Sequence, residues 1–171
     1  YYHLAASAGI HYEGQIESNV VRLGIGLYGI NSSSLARLDL KPVLRMQSVV
    51  SSVKTIPAGE FIGYGLTYKT DKTVKIATVP AGYFEGVDRR LSNKGFLKMG
   101  DYFCPIVGRV SMNITTIDIS DVPGVESGDK VIVVSDDRND KNSIENIANL
   151  AQTISYEILV HIPQHLRRTI V

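Results

Sequence analysis

Gly63-Tyr64-Gly65-Leu66-Thr67-Tyr68 follows closely on a turn-forming segment, Pro57-Ala58-Gly59-Glu60, within a long region of β-forming residues. Glycines on both sides of a tyrosine let the backbone turn sharply and present the phenol at a site, which makes Tyr64 a candidate catalytic residue. The same pattern also occurs at a β-bulge, where the tyrosine would only cover the edge of a strand. From these six residues alone, the bulge is the favoured interpretation.

The region after Lys41-Pro42 predicts a mainly β, β-barrel-like domain. Its β-forming runs are separated by clusters of Gly, Pro, Asp and Asn that are typical of turns. The predicted strands are Val43 to Ile56, Thr73 to Val79, Tyr102 to Val110, Ile114 to Ile119 and Lys130 to Val134. One helix is predicted from about Ser143 to Ile154, with Asn142 or Ser143 as its N-cap. Its apolar positions have helical spacing and are Ile144, Ile147, Ala148, Ala151 and Ile154.

The first 30 residues have a different pattern. Tyr2 to Ala6 and Asn19 to Leu23 are short apolar runs of the kind that form buried parallel strands. A glycine-rich segment, Gly24 to Gly29, follows the second run, and backbone amides at such a turn suit an anion. A polar, serine-rich stretch from Asn31 to Arg37 comes next. The predicted organisation is therefore a first part over residues 1–30, a linker over 31–42 and a β domain over 43–171.

The composition excludes several classes of partner. The 171 residues are 44% hydrophobic and contain 18 Lys and Arg against 17 Asp and Glu, a balance that gives no general attraction to nucleic acid or anionic membranes. No apolar run approaches the ~20 residues of a membrane-spanning helix. The single Cys104 cannot form an internal disulfide, which fits a reducing, cytoplasmic location. The chain begins at Tyr1 without an initiator Met, so we expect it to be part of a longer protein.

Several short segments, taken together in their order along the chain, are characteristic of one protein family. They are Tyr2 to Gly9, Val21 to Gly29, Leu40 to Val43, Gly63 to Tyr68, Gly82 to Gly86, Pro105 to Met112, and Tyr156 to Leu159. In this ordered set the chain resembles the C-terminal part of alanine racemase, a fold-type III pyridoxal-phosphate (PLP) enzyme. The resemblance implies that residues 1–30 are the last two strands of a (β/α)₈ barrel with its phosphate loop, followed by the family's C-terminal β domain.

The resemblance implies PLP as the cofactor, with its Schiff-base lysine outside this chain. The positions that match those binding the phosphate are Ser7, Gly24, Ile25 and Tyr156. Arg22 matches an arginine that hydrogen-bonds the pyridine nitrogen and, because it does not give up its proton, keeps that nitrogen unprotonated. An arginine in an apolar strand also needs a ligand or an acid, because its burial is costly. His3 matches a residue that supports this arginine, with a structural histidine as the alternative.

Racemisation removes the α-proton from one face of the substrate and returns a proton to the other, so it needs two acid–base groups. The resemblance implies that Tyr64 is one of these acid–base groups and that the PLP lysine is the other. It also implies that the tyrosine acts across a subunit interface. We therefore expect a homodimer with a shared active site. Met112 matches a residue whose amide reaches the substrate carboxylate, and its alternative role is a gap-filling core side chain. Tyr83, Arg89 and Arg109 match residues of the entrance channel, where positive charge guides an amino-acid carboxylate.

Asn113 departs from the family, which usually has Asp after this methionine. The change removes a charge near the expected site and keeps open a broader-specificity amino-acid racemase of the same fold type. A third hypothesis is a non-catalytic β interaction module, which the absence of an upstream barrel would favour. The first hypothesis implies interconversion of L- and D-alanine for cell-wall peptidoglycan in the cytoplasm, no metal ion, and an isolated chain that is inactive.

Overall fold

The computed structural model describes residues 1–12, 17–31, 33 and 39–171. The chain divides into two compact units, Tyr1–Leu44 and Arg45–Val171. Of the predicted linker from Asn31 to Arg37, Ser32 and residues 34–37 lie outside the described residues. No helix in the described part of the chain is both long enough and apolar enough to cross a bilayer.

The first unit contains two 3₁₀ turns, Ser7–Tyr12 and Ile25–Tyr28, each of which follows an extended segment. These segments lie parallel, because Ala6 and Arg22 form a parallel bridge and the Arg22 N–H donates to the Ala5 carbonyl at 2.8 Å. The predicted burial is wrong for most of their apolar side chains, since no layer of described residues within this unit covers them. Ala5 is buried, whereas the exposed side chains are Tyr2, Leu4, Val21 and Leu23.

The second unit is built from antiparallel sheets, which confirms the mainly β class. The strands are β1 (Met46–Val49), β2 (Ser52–Ile56), β3 (Phe61–Ile62), β4 (Tyr68–Lys69), β5 (Val74–Val79), β6 (Phe96–Met99), β7 (Tyr102–Pro105), β8 (Thr115–Asp118) and β9 (Lys130–Val134). Their orders are β1-β9-β6-β7, β2-β5-β8 and the hairpin β3-β4. An antiparallel bridge between Ile106 and Ile117, both almost fully buried, connects the two larger sheets.

Two long predicted strands are interrupted. The run from Val43 to Ile56 forms β1 and β2 in different sheets, because the chain changes partner at Val50 and Ser51. The Val50 N–H donates to the Asp129 carbonyl and the Ser51 N–H to the Thr78 carbonyl, each at 2.8 Å. The run from Tyr102 ends as a strand at Pro105. The predictions for β5, β8 and β9 are confirmed to within one residue at each end, whereas β3, β4 and β6 were not predicted.

The predicted helix is present as α1 (Ile144–Ala151), and a second helix, α2 (Ser155–Val160), follows it. Ser143 is the N-cap of α1, and its Oγ accepts from the Asn146 N–H at 3.3 Å. The helix buries Ile144, Ile147, Ala148 and Ala151 as predicted. It ends earlier than predicted because Gln152 has a left-handed backbone with φ 56°. Ile154 therefore lies outside the buried face and is 63% exposed.

Candidate active site

Tyr64 lies at the tip of the β3–β4 hairpin, in a 3₁₀ turn over Tyr64–Leu66. The turn has a left-handed backbone at Gly63 (φ 76°), Gly65 (φ 73°) and Leu66 (φ 52°). Glycine adopts this conformation without strain, but a leucine does not. The tyrosine side chain is 74% exposed. The bulge interpretation is wrong here, because Tyr64 lies between two strands and its phenol points away from the core.

The Tyr64 turn lies against the backbone of Gly108 and Arg109. A Cβ added to Gly63 would lie 3.0 Å from the Arg109 nitrogen and 3.3 Å from the Gly108 Cα. A Cβ added to Gly65 would lie 3.3 Å from the Arg109 Nε. The structure therefore brings Arg109, which was predicted for the entrance channel, next to the candidate catalytic turn.

Tyr83 and Met112 lie on two neighbouring backbone segments. The Tyr83 N–H donates to the Ser111 carbonyl at 3.0 Å, and the Phe84 N–H donates to the Met112 carbonyl at 2.8 Å. Only glycine fits at position 82, because a Cβ there would lie 2.2 Å from the Ser111 oxygen. The Met112 side chain is 54% exposed, so its predicted alternative as a core gap filler is wrong.

Glu85 joins the same two segments and was not predicted from the sequence. Its Oε2 accepts from the Gly82 N–H and its Oε1 accepts from the Asn113 Nδ2, each at 2.8 Å. Glu85 makes the carboxylate half of a capping box around the 3₁₀ turn Tyr83–Glu85, but Gly82 has no side chain to make the other half, so the sequence carried no clear signal for this residue. Asn113 is a neutral donor to this carboxylate, whereas an ionised Asp could only accept.

Tyr83 and Arg89 line an open pocket of about 640 Å³. The other lining residues are Gly86, Asp88, Arg90 and His161. Arg89 begins the 3₁₀ turn Arg89–Leu91, and Asp88 caps that turn by accepting from the Arg90 N–H at 2.8 Å. Two of the three residues predicted for the entrance channel therefore share one concave surface, and the side chains of Arg89 and Arg90 are exposed at its edge.

Arg90, which the sequence analysis missed, connects this pocket to α2. Its Nη2 lies 2.6 Å from the Asp88 Oδ2 and 2.9 Å from the Glu157 Oε1, and Glu157 follows Tyr156 along the helix. The Arg90 hydrogen bond holds the pKa of Asp88 below its ordinary value. A hydrogen bond from Thr153, together with a smaller contribution from Arg90, holds the pKa of Glu157 below its ordinary value.

The same cluster has the composition of a cation site. Asp88, Glu157 and His161 can offer ligand atoms that lie within 4.8 Å of one another. Arg90 already pairs with both carboxylates, so the negative charge that would attract a metal ion is compensated. These ion pairs hold the start of the Arg89 turn against the helix that contains Tyr156.

In the first unit, Ser7, Gly24 and Ile25 are brought together. The Ser7 Oγ accepts from the Gly24 N–H at 3.0 Å and from the Gly26 N–H at 3.3 Å. Ser7 is buried, and a Cβ added to Gly24 would meet nothing within 4 Å. Ile25 begins the following 3₁₀ turn. Tyr156 belongs to the second unit, where it is 46% exposed.

Arg22 and His3 do not form the predicted pair. Both side chains are exposed, and no hydrogen bond between them is seen in the described part of the chain. The Arg22 side chain is exposed, as are the neighbouring apolar side chains Val21 and Leu23. Its contact with a ligand or an acid stays a prediction.

Comparison with known proteins relates both the sequence and the fold to one enzyme family. Residues 43–170 match the family model described as alanine racemase, C-terminal domain. The chain is 36% identical over 166 residues to an alanine racemase of Methylacidiphilum infernorum, and this match covers 97% of the chain and 43% of the relative. It is 39% identical over 168 residues to alanine racemase 1 of Caldanaerobacter subterraneus, with the same two coverages.

Solved structures give the same result. The alanine racemase from Bartonella henselae with covalently bound pyridoxal phosphate has a TM-score of 0.89 and 30% sequence identity, over 98% of this chain and 46% of that protein. The enzyme from E. faecalis has a TM-score of 0.86 and 35% identity, over 96% of this chain and 44% of that protein. The chain thus spans less than half the length of the relatives it matches. From the family model and these relatives, the chain belongs to the alanine racemase family.

Proposed function

We propose that the protein containing this chain is a PLP-dependent racemase that interconverts L- and D-alanine. The placement of Tyr64 carries the proposal: an exposed phenol stands at the tip of a hairpin, in a turn whose glycines, Gly63 and Gly65, lie against Arg109. Membership of the alanine racemase family supports the class of reaction. The second acid–base group is proposed to be the family's PLP lysine, which lies outside this chain.

The residues of the second unit are proposed to act on the amino acid itself. The Tyr64 phenol exchanges a proton with the α-carbon from the face on which L-alanine carries its hydrogen. The Met112 N–H has no acceptor in the described part of the chain and is available to the substrate carboxylate. Tyr83 and Arg89 line the approach with Arg109, and the two cationic side chains attract the carboxylate before it binds.

The first unit fits a phosphate group. The Ser7 Oγ accepts from two backbone N–H groups, so its own proton is available to a phosphate oxygen. Gly24 leaves open space where a Cβ would stand, and the Ile25 amide adds a donor. Tyr156 is proposed as a further phosphate ligand and Arg22 as the partner of the pyridine nitrogen. When bound, PLP withdraws electrons from the α-carbon and so makes its hydrogen acidic.

We also propose a homodimer in which Tyr64 and Met112 complete the site of the other subunit. Large apolar side chains are exposed on the segments that contain these two residues and on the segment paired with Met112, and covering them would be favourable. These side chains are Leu66, Tyr83, Phe84 and Ile114. On this proposal the isolated chain is inactive, and the whole enzyme supplies D-alanine for peptidoglycan in the cytoplasm.

The test is deuterium incorporation from heavy water into alanine, using the gene product as the cell makes it, with PLP, beside its Tyr64→Phe variant. We expect exchange of the α-hydrogen of L-alanine to fall far more than exchange of D-alanine. Tyr102→Phe, at a tyrosine that is 45% exposed on β7, is the matched control and should leave both rates unchanged. Absence of exchange in the unmodified protein would instead favour a non-catalytic interaction module.

A broader-specificity amino-acid racemase is the second candidate, and it rests on Asn113. Asn113 is neutral and donates to Glu85, so the site carries one negative charge fewer than it would with an Asp. The same exchange experiment with serine and lysine separates the candidates, because deuterium enters alanine alone in the first case and several amino acids in the second.

A further inference from the structure

We propose that Asn93 is a positioning residue that holds the Tyr64 turn in place and thereby sets the rate of the proton transfer at that tyrosine. This inference rests on the proposed acid–base function of Tyr64. Asn93 does not touch the reacting atoms and acts through the backbone on both sides of the turn.

Both ends of the Asn93 amide are used. Its Oδ1 accepts from the Gly108 N–H at 2.6 Å, and its Nδ2 donates to the Thr67 carbonyl at 3.2 Å. Thr67 is the residue that ends the Tyr64 turn, and Gly108 is the residue whose backbone supports Gly63 at its beginning. One side chain therefore fixes the end of the turn and also fixes the loop against which the turn begins.

The turn has few other restraints. For the described residues, every hydrogen bond from residues 63–67 to the chain beyond the β3–β4 hairpin involves Asn93. The turn also contains Leu66 at φ 52°, a conformation that a leucine leaves readily when nothing holds it. Loss of the Asn93 Nδ2 contacts with the Thr67 carbonyl and with the Thr67 Oγ1, at 3.4 Å, should therefore let the turn relax and change the direction of the phenol.

The local backbone explains how Asn93 reaches both partners. Asn93 has φ 59°, and Asn tolerates this left-handed conformation better than most residues with a Cβ. The preceding Ser92 holds the same loop, because its Oγ donates to the Arg89 carbonyl at 2.6 Å and accepts from the Val110 N–H at 3.0 Å. The turn at residues 92 and 93 is thus fixed independently of Tyr64.

Proton transfer is sensitive to such positioning. An acid–base group must come within about 2.6–3.2 Å of the atom it serves, and a displacement of about 1 Å can reduce a rate about a hundredfold. Displacement of Tyr64 should slow the step on its own face of the substrate. It should leave the step on the opposite face, which another group performs, much less affected.

The experiment uses Asn93→Gly, alone and combined with Tyr64→Phe, in the gene product as the cell makes it, with PLP. Glycine removes the side-chain bonds and keeps the positive φ, so backbone strain is not introduced. We expect α-hydrogen exchange of L-alanine to fall about ten- to a hundredfold and that of D-alanine to fall much less. In the Tyr64→Phe background the second change should add nothing, because both act on one step. Amide hydrogen exchange at residues 63–67 should become faster.

Asn146→Ala is the matched control, because the Asn146 Nδ2 also donates to a backbone carbonyl, that of Asp140, at 2.7 Å. It should lower stability without changing the ratio of the two exchange rates. Asn93→Asp keeps an acceptor for the Gly108 N–H and loses the donor to Thr67, so it should also slow exchange of L-alanine selectively. It replaces the glycine variant if that one does not fold. An equal loss for both enantiomers, an additive loss with Tyr64→Phe, or unchanged amide exchange at residues 63–67 would overturn the proposal. If Tyr64→Phe itself showed no asymmetry, the proposed role of Tyr64 would fail, while the amide exchange would still report whether Asn93 holds the turn.

Discussion

Gly63 and Gly108 are in close contact through their backbones, and a Cβ would be tight at Gly63 and would clash at Gly108. A Cβ on Gly63 would lie 3.3 Å from the Gly108 Cα, and a Cβ on Gly108 would lie 2.7 Å from the carbonyl oxygen of Ile62. Both glycines also have a left-handed backbone, with φ of 76° and 81°. The direction in which Tyr64 leaves the domain therefore depends on a contact between two backbones.

Gly108→Ala should destabilise the protein through two separate effects. The positive φ costs a residue with a Cβ about 1–2 kcal/mol, and the clash with Ile62 adds about 1–3 kcal/mol. Gly124→Ala is the matched control, because Gly124 has φ 68° and nothing within 4 Å of an added Cβ. Urea unfolding should show a larger loss for Gly108→Ala than for Gly124→Ala. Equal losses would mean that the contact between the glycines contributes nothing.

Local patterns in the sequence predicted those parts of the fold that local interactions determine. The strand β9 follows from a run of β-branched residues after a turn-forming segment, and the buried face of α1 follows from helical spacing and a serine cap; both were confirmed. The hairpin β3–β4 has two residues in each strand, which is too short to show any period. The break between β1 and β2 depends on long-range pairing with β9 and β5, and the apolar pattern of that run continues across it.

In the candidate site, too, local sequence patterns predicted some features, whereas contacts between distant residues could not be predicted. The glycines around Tyr64 indicated a special turn, whereas the cap that Glu85 makes carried no clear signal, because Gly82 lacks the side chain of a capping box. Asn93 gave no such signal, because its partners at Thr67 and Gly108 are distant in sequence and meet only in the folded domain. The burial of the runs Tyr2 to Ala6 and Asn19 to Leu23 was overestimated, since apolar composition does not say which part of a protein covers a segment.

Asn113→Asp should destabilise the segment that contains Met112. The variant replaces a donor that lies 2.8 Å from the Glu85 Oε1 by a second carboxylate, so one hydrogen bond to a charged group, worth about 1.5–3 kcal/mol, is lost. Near neutral pH the two carboxylates also repel each other. Below about pH 4, protonation of one carboxyl group restores a donor, and the deficit should shrink.

Urea unfolding of Asn113→Asp at neutral and acidic pH measures this effect. Asn113→Ala is the control, because it removes the donor without adding charge and its deficit should not depend on pH in the same way. A deficit for Asn113→Asp that stays constant from neutral to acidic pH would contradict the proposed contact between the two carboxylates.

Cys104 should resist alkylation in the folded protein. The side chain is 1% exposed, and burial, with smaller contributions from Asp118 and Asp121, raises the pKa of its thiol to about 11. Since the thiolate is the reactive form, iodoacetamide at about pH 8 should modify the native protein far more slowly than the protein in urea. Mass spectrometry of samples taken at successive times measures the rate of Cys104 modification in each state. Similar rates would show that the strand β7 opens readily.

The stability of the β6–β9 region should fall in acid because of Asp140. The Asp140 Oδ2 lies 2.7 Å from the Lys98 Nζ and accepts from the Ser135 Oγ at 2.6 Å. Burial raises the pKa of Asp140, but these hydrogen bonds outweigh burial and hold the pKa below its ordinary value. A carboxylate whose pKa is lower in the folded protein stabilises it above the unfolded value of about 3.9, and this contribution is lost as the pH falls through the folded value.

The free energy of unfolding should therefore decrease more steeply below about pH 4 in the unmodified protein than in Asp140→Asn, which cannot ionise. Urea unfolding at a series of pH values gives both curves. Asp101→Asn is the matched control, because Asp101 is exposed in the turn between β6 and β7 and has no ion pair in the described part of the chain. Its curve should follow that of the unmodified protein. If the Asp140→Asn curve ran parallel to both, the Lys98 and Ser135 contacts would not favour the ionised carboxylate.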